Sequence, residues 1–230
     1  MLQFLLQVVE ASDTTQNTQA TKEVEITLFD LILKGGWAMI PLALLLGLGI
    51  YIFIERYLII KKSDQSPEQF MKQVRELVRS GDIKRAAMLC DATDSPYARM
   101  IGKGIRRLGS PLPDIMASIE NEGKLEINRL EKSLGLLATV AGAAPMIGFL
   151  GTVTGLIAAF MNISQYEGNV NPSLLSGGIY EAMITTAAGL FVGIPTYFGY
   201  NYLTMKIANL VAKMEITSTE FIDLLQEPIA

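Results

Sequence analysis

Hydrophobic and polar positions divide the chain into three long apolar runs separated by polar stretches. A helix needs about 20 mostly apolar residues to cross a hydrocarbon layer about 30 Å thick. The first run extends from Gly35 to Ile54 without a charged residue, and no charge occurs between Ser133 and Tyr166. The third run, from Gly178 to Met205, contains a single charge, Glu181. The pattern predicts an all-α integral membrane protein with three transmembrane helices.

Basic residues concentrate between the first and second runs. Of the 19 Lys and Arg residues, 14 lie between Lys61 and Lys132. Because basic segments are retained on the cytoplasmic side, this stretch is predicted to be cytoplasmic. The N-terminus and the segment between the second and third crossings are then periplasmic, and the C-terminus is cytoplasmic. Lys206 and Lys213, which follow the third run, agree with this orientation.

The chain is thereby divided into seven segments. They are a periplasmic N-terminal tail or interfacial helix (1–34), transmembrane helix 1 (35–58), a cytoplasmic helical region (59–132), transmembrane helix 2 (133–162), a periplasmic hairpin (163–176), transmembrane helix 3 (177–205) and a cytoplasmic C-terminal helix or tail (206–230). The second and third transmembrane helices are expected to extend into the cytoplasm, beside the large helical region.

Capping residues predict the helices of the cytoplasmic region. Ser66-Pro67-Glu68 begins a helix that Gly81 ends, since Ser is a favoured N-cap and Pro suits the first helical position. A second helix is predicted over Asp82–Cys90, and Ser95-Pro96 begins a third. From Leu112 onward no break signal occurs before the outer hairpin, so one helix of about 50 residues, roughly 75 Å long, is predicted to lead into the second crossing.

Small residues and proline form one face of the second crossing and one face of the third. On the second crossing this face contains Ala141, Pro145, Gly148, Thr152, Gly155 and Ala159. On the third crossing it contains Gly178, Ala182, Thr185, Gly189, Gly193 and Thr196. Gly151 and Gly155, like Gly189 and Gly193, have the four-residue spacing that lets helix backbones approach closely in lipid. The two faces indicate either tight helix packing or the lining of a central space.

Glu181 is the one charged residue within the apolar runs. A carboxylate in or near hydrocarbon is costly unless it is neutralised, paired or hydrated, and the apolar runs contain no basic residue to pair with it. If it is buried, it is protonated, hydrated or matched by another chain. The alternative is that Glu181 lies at the outer headgroup level and faces water.

Composition excludes several classes of protein. Hydrophobic residues make up 50% of the 230 residues and charged residues 18%, which is unusual for a soluble domain. The chain has no His and one Cys, so His-based zinc sites, Ser-His-Asp triads and internal disulfides are excluded, and neither an enzyme nor a cofactor is predicted. The net charge of −4 argues against nucleic acid as a partner.

Two stretches of the crossings resemble a known family. Ala144–Gly155 (APMIGFLGTVTG) and Ile179–Leu190 (IYEAMITTAAGL), followed by Ile194-Pro195 and Asn201, are similar to the MotA/TolQ/ExbB proton-channel family, and to its ExbB branch most of all. The three crossings, their orientation and the large cytoplasmic insertion agree with that family over nearly the whole chain.

The resemblance implies a fold, partners and site residues. It implies a homo-pentamer in the bacterial inner membrane around an ExbD-like single-crossing protein with a proton-carrying Asp, and a TonB-like protein that transmits the work to the outer membrane. Matched by motif, the pore threonines are Thr152 and Thr186 and the intramembrane glutamate is Glu181. Pro145 and Pro195 match residues that line the ring.

Helical geometry adds Thr185 to this set. At 100° per residue, Glu181 and Thr186 are about 140° apart, whereas Thr185 is only about 40° from Glu181. Thr185 is therefore the better companion of Glu181 on an ideal helix. The resemblance does not account for the N-terminal tail.

The function predicted on these grounds is a proton-channel or stator subunit of an inner-membrane motor that uses the proton motive force to energise outer-membrane transport. A TolQ-like subunit for envelope maintenance or a gliding-motor subunit would use the same residues. In a passive membrane scaffold, the third alternative, the polar residues of the crossings would only pack.

Overall fold

The computed structural model describes residues 35–63, 67–165 and 172–227, and within these ranges the chain forms seven helices and no β-strand. They are α1 (Met39–Ser63), α2 (Pro67–Arg79), α3 (Ile83–Ala92), α4 (Pro96–Ile105), α5 (Leu112–Glu131), α6 (Leu134–Gln165) and α7 (Pro172–Gln226). The predicted all-α fold is confirmed. The expected N-terminal tail, the Ser66 cap and the centre of the outer hairpin lie outside the described residues.

In the part of the chain that the structure describes, three segments are long and apolar enough to cross a membrane, as predicted. They are α1, the α5–α6 segment and α7. The 55 residues of α7 form a helix about 80 Å long, at 1.5 Å per residue, which is more than twice the thickness of a hydrocarbon layer. One end of α7 must therefore extend well beyond the membrane.

Capping side chains form hydrogen bonds at two of the predicted helix starts. The Asp82 carboxylate accepts a hydrogen bond from the backbone N–H of Arg85 at 3.1 Å, at the beginning of α3. The Ser95 hydroxyl oxygen accepts one from Ala98 N–H at 3.3 Å, at the beginning of α4. Gly81 takes a φ of +73°, a left-handed conformation that lets the chain turn between α2 and α3. The predictions at these positions are confirmed.

The predicted uninterrupted helix from Leu112 into the second crossing is wrong. α5 ends at Glu131 and α6 begins at Leu134. Lys132 has an extended ψ of 135° and Ser133 a φ of +65°, so two residues leave the helical conformation. Neither Lys nor Ser is a strong helix breaker, and the sequence carried no signal for this break.

A hydrophobic core extends from the ends of the crossing helices into a unit formed by α2–α5 and the part of α7 after Lys206. We call this unit the polar bundle. Its most completely buried side chains include Val74, Tyr97, Ile101, Ile119 and Phe221. Since Phe221 belongs to α7, the helix of the third crossing also closes the core of the polar bundle. A smaller apolar cluster joins α1, α6 and α7 within the crossings.

Candidate functional site

The candidate site lies where α6 and α7 pack against each other, and glycine makes this contact possible. A Cβ added at Gly189 would lie 2.7 Å from the Ala144 carbonyl oxygen and 2.9 Å from Gly148 Cα. A Cβ added at Gly148 would lie 2.9 Å from the Thr185 carbonyl oxygen. The obstructing atoms are backbone atoms, which cannot move aside, so only glycine fits at these two positions.

The other glycines predicted on the small-residue faces continue this contact along both helices. A Cβ at Gly155 would meet Ala182 at 3.1 Å, and one at Gly193 would meet the Pro145 ring at 2.6 Å. The structure thus places the two small-residue faces against each other within one chain. Pro145 lies in the contact, whereas Pro195 is on the exposed side of α7.

Two threonine hydroxyls meet across the contact. Thr152 Oγ1 on α6 is hydrogen-bonded to Thr186 Oγ1 on α7. Thr186 Oγ1 also donates to the Gly148 carbonyl at 3.1 Å, and Thr152 Oγ1 lies 3.3 Å from the carbonyl oxygens of both Gly148 and Ala182. We call these two hydroxyls and two carbonyls the threonine pair site. Both threonine side chains are half-buried.

The threonine pair site has more acceptors than protons. Each hydroxyl carries one hydrogen and can also accept, while the Gly148 and Ala182 carbonyls only accept. The hydrogens of Thr152 and Thr186 are therefore shared among four oxygen atoms, one of which, the Ala182 carbonyl, also accepts from Thr185. The two hydroxyls can exchange donor and acceptor roles without moving the helices. Such a group can donate to an anionic carboxylate and accept from a protonated one.

Thr185 has a different environment from Thr186. Its side chain is 1% exposed, and its hydroxyl donates to the Ala182 carbonyl at 2.9 Å. A Cβ at Gly151 would lie 2.5 Å from Thr185 Oγ1, so Thr185 fills the space that Gly151 leaves open. The structure brings Thr152 together with Thr186 and leaves Thr185 enclosed in the helix contact. An ideal helical wheel could not reveal this, because it does not specify which face of α7 meets α6.

Glu181 lies near the beginning of α1. A Cβ at Gly36 would overlap the Glu181 carboxylate, and Gly36 has a φ of +63°. The adjacent Trp37 is 59% exposed, as expected of an aromatic residue at a membrane interface. Thr186 follows five residues later, about 7.5 Å along the helix axis. The half-buried Glu181 carboxylate makes no hydrogen bond or ion pair with any described residue.

The structure also contains a buried cluster of charged side chains, in and beside the polar bundle, that was not predicted from the sequence. The Glu126 side chain is 1% exposed and bonded to Arg99 at 2.7 Å and to Arg129. Arg99 also donates a hydrogen bond to Asp94 at 2.8 Å, and the hydrogen bond that Arg99 donates to Glu126 raises the pKa of Arg99. The spacing of Glu126 and Arg129 on one helix was a possible signal, but it does not predict burial.

Comparison with known proteins identifies the class to which this multi-pass helical membrane protein belongs. The model of the MotA/TolQ/ExbB proton channel family matches residues 92–216, more than half of the chain. The chain belongs to this family of channel and transport subunits, which is not a class of enzymes.

Three relatives illustrate the similarity. An ExbB homolog from Methanothermobacter thermautotrophicus is 28% identical over 83% of this chain and 67% of its own length. The biopolymer transport protein ExbB of Xanthomonas campestris is 38% identical over 39% of this chain and 35% of its own length. That of Neisseria gonorrhoeae is 38% identical over 56% of this chain and 59% of its own length. The chain therefore spans only part of the curated relatives that it matches.

Proposed function

We propose that this chain is the channel subunit of an inner-membrane motor that uses the proton motive force to energise outer-membrane transport. The observation that carries the proposal is the threonine pair site. It combines two half-buried hydroxyls with two carbonyls inside the glycine-packed contact of two helices long and apolar enough to span a membrane. In hydrocarbon, polar groups not needed for packing are costly, and this contact already packs through glycine.

The partner in this proposal supplies the proton-carrying group. The threonine pair site contains no titratable residue, so it can stabilise a carboxyl group in either protonation state but cannot carry the proton itself. An ExbD-like protein with one transmembrane helix and an Asp would complete the path. A homo-pentamer of this chain would surround that helix, and a TonB-like protein would deliver the work. Relatives named biopolymer transport protein ExbB favour this machine over a TolQ-like or gliding motor.

Glu181 has a separate role in the proposal. It lies about 7.5 Å from the level of Thr186 toward the beginning of α1, where the Gly36 turn contacts its carboxylate. At that place it can take protons from water at the periplasmic end of the path. Thr185 supports the path indirectly, by filling the α6–α7 contact.

The membrane topology is proposed with the function. The N-terminus is periplasmic, and the polar bundle and the C-terminus are cytoplasmic. Trp37 is 59% and Met88 67% exposed, which makes both suitable for cysteine labelling in a Cys90→Ala background. In intact spheroplasts, an impermeant maleimide should label Trp37→Cys and not Met88→Cys. The reverse pattern would contradict the orientation.

The function is tested by proton flux in vesicles that contain the chain with or without a single-crossing partner carrying an intramembrane Asp. The proposal predicts flux only with the partner, and loss of flux when the partner's Asp is replaced by Asn. Glu181→Gln should slow the flux, because Gln keeps the size and hydrogen bonding of Glu but cannot exchange a proton. Equal flux with and without the partner, or none in either case, would contradict the proposal.

A further inference from the structure

The junction between α5 and α6 departs from the continuous helix that the sequence favours. Ser133 takes a φ of +65°, the left-handed conformation that usually follows a helix end and is usually occupied by glycine. A Cβ makes this conformation unfavourable. A helix break at an ordinary helical residue, held in a strained conformation, requires a stabilising contact from elsewhere in the fold.

Arg56 of α1 makes that contact. In an uninterrupted helix, the Arg129 carbonyl would accept a hydrogen bond from the backbone N–H of Ser133. Here Arg56 Nη1 donates to the Arg129 carbonyl oxygen instead, at 3.2 Å. Among the described backbone hydrogen bonds outside the helices, none runs from Ser133 or Leu134 back to α5. A guanidinium from another helix thus replaces the missing backbone donor.

Arg56 also depends on the break. The residue is only 4% exposed, and its other hydrogen-bonding partner is Glu55, at 2.8 Å. Its Nε atom is buried and has no hydrogen-bonding partner within the described ranges. If Ser133 N–H reclaimed the Arg129 carbonyl, this buried cation would have to share its acceptor with a backbone donor, which weakens its hydrogen bond in a poorly hydrated place. The break and the buried guanidinium therefore stabilise each other.

We propose that the α5–α6 junction is a two-state joint that Arg56 holds in its broken form. In the broken state the Arg129 carbonyl accepts from Arg56, and in the continuous state it accepts from Ser133 N–H. Because α6 carries Thr152 and α5 carries Glu126 of the polar bundle, the joint sets the direction of the bundle relative to the second crossing. Movement of the cytoplasmic end of α1, which carries Arg56, would convert the joint between its broken and continuous states.

The joint is tested by electron-paramagnetic-resonance distance measurement between spin labels at Asn121 and Thr139, in the full chain with Cys90→Ala. In an uninterrupted helix these positions are 18 residues, or about 27 Å, apart. The unmodified junction should give a single distance that differs from this value. Arg56→Gln should add a population near 27 Å, and Ser133→Gly in the same chain should remove it, because glycine accepts the positive φ.

Arg129→Gln is the matched control, because it removes a side chain of the charge cluster but leaves the backbone carbonyl that Arg56 caps. It should keep the distance of the unmodified chain. If Arg129→Gln shifts the distance as much as Arg56→Gln does, the side-chain cluster maintains the break, and if Arg56→Gln causes no shift, the proposal is also overturned. If Arg56→Gln does not fold, the distances in Ser133→Ala and Ser133→Gly decide between the two states. Ala should favour the distance of the continuous helix and Gly that of the broken one, and identical distributions would contradict the joint.

Discussion

The polar bundle and the α6–α7 contact hold helices together in opposite ways. In the bundle, large side chains such as Tyr97 and Phe221, 1% and 0% exposed, fill the space between helices. In the α6–α7 contact, the backbones come so close at Gly148 and Gly189 that neither position has room for a Cβ atom. Burial of apolar area favours association in water, whereas in lipid the hydrocarbon is as apolar as the side chains, and close packing takes its place.

Because of this difference, the two regions are destabilised by opposite kinds of substitution. A core filled by large side chains is damaged when atoms are removed, because a cavity remains. A contact between backbones is damaged when atoms are added, because nothing can move aside. Polar groups also differ between the regions: the bundle buries Glu126 with charged partners, whereas the helix contact holds uncharged threonine hydroxyls.

The largest effect is expected from removing atoms in the bundle. Phe221→Ala should lower the free energy of unfolding by about 3–5 kcal/mol, because the ring is fully buried against several helices. Thermal or denaturant unfolding of the purified chain in detergent measures this loss. The exposed neighbour Glu220 provides the control, and Glu220→Ala should change stability by less than about 0.5 kcal/mol. Equal effects of the two substitutions would contradict the assigned core.

A smaller effect is expected from adding one methyl group to the helix contact. Gly148→Ala should destabilise the chain by about 1–3 kcal/mol, although Ala is the better helix former. Gly142 on the same helix has no atom within 4 Å of an added Cβ, so Gly142→Ala should be neutral or slightly stabilising. Unfolding in detergent and the native mass of the complex report both effects. Tolerance of Gly148→Ala would mean that the backbones are not in contact.

The smallest effect concerns the Cys90 thiol in the bundle. Burial, and then the charge of Asp91, raises its pKa from 9.0 to about 12. The thiol stays protonated in the folded chain but ionises near pH 9 when unfolded, so its contribution to stability is present below pH 9 and is lost as pH rises toward 12. Between pH 8 and pH 10, the free energy of unfolding of the unmodified chain should fall by about 1 kcal/mol more than that of the Cys90→Ala variant. An equal loss of stability in both proteins would show that burial does not raise the pKa of this thiol.

The sequence predicted the elements that depend on local signals. Asp82 and Ser95 cap their helices as expected, because a capping side chain bonds to residues only three positions away. The break at Ser133 could not be predicted, since the donor that replaces its backbone bond, Arg56, is 73 residues from Arg129 in the chain. Local sequence does not contain that contact.

Sequence reasoning predicted the residues of the candidate site better than their arrangement. Thr152 and Thr186 came from the family motifs, and the structure brings their hydroxyls together. Spacing alone favoured Thr185 as the companion of Glu181, because a helical wheel contains no neighbouring helix. Once α6 is in place, Gly151 makes room for Thr185, and Thr186 is left to meet Thr152.

The central claim is that the two hydroxyls of the threonine pair site act as one unit in proton transfer. A double-mutant cycle of partner-dependent proton flux tests it with Thr152→Val, Thr186→Val and both together. Thr154→Val is the control, since among the described residues that hydroxyl bonds only to Leu150 and Gly151 of its own helix. Each single variant should lower flux at least about tenfold with normal folding, and the double variant should be no worse than either, because the residues share one function. Flux that persists in both single variants, or losses that multiply in the double variant, would contradict the account.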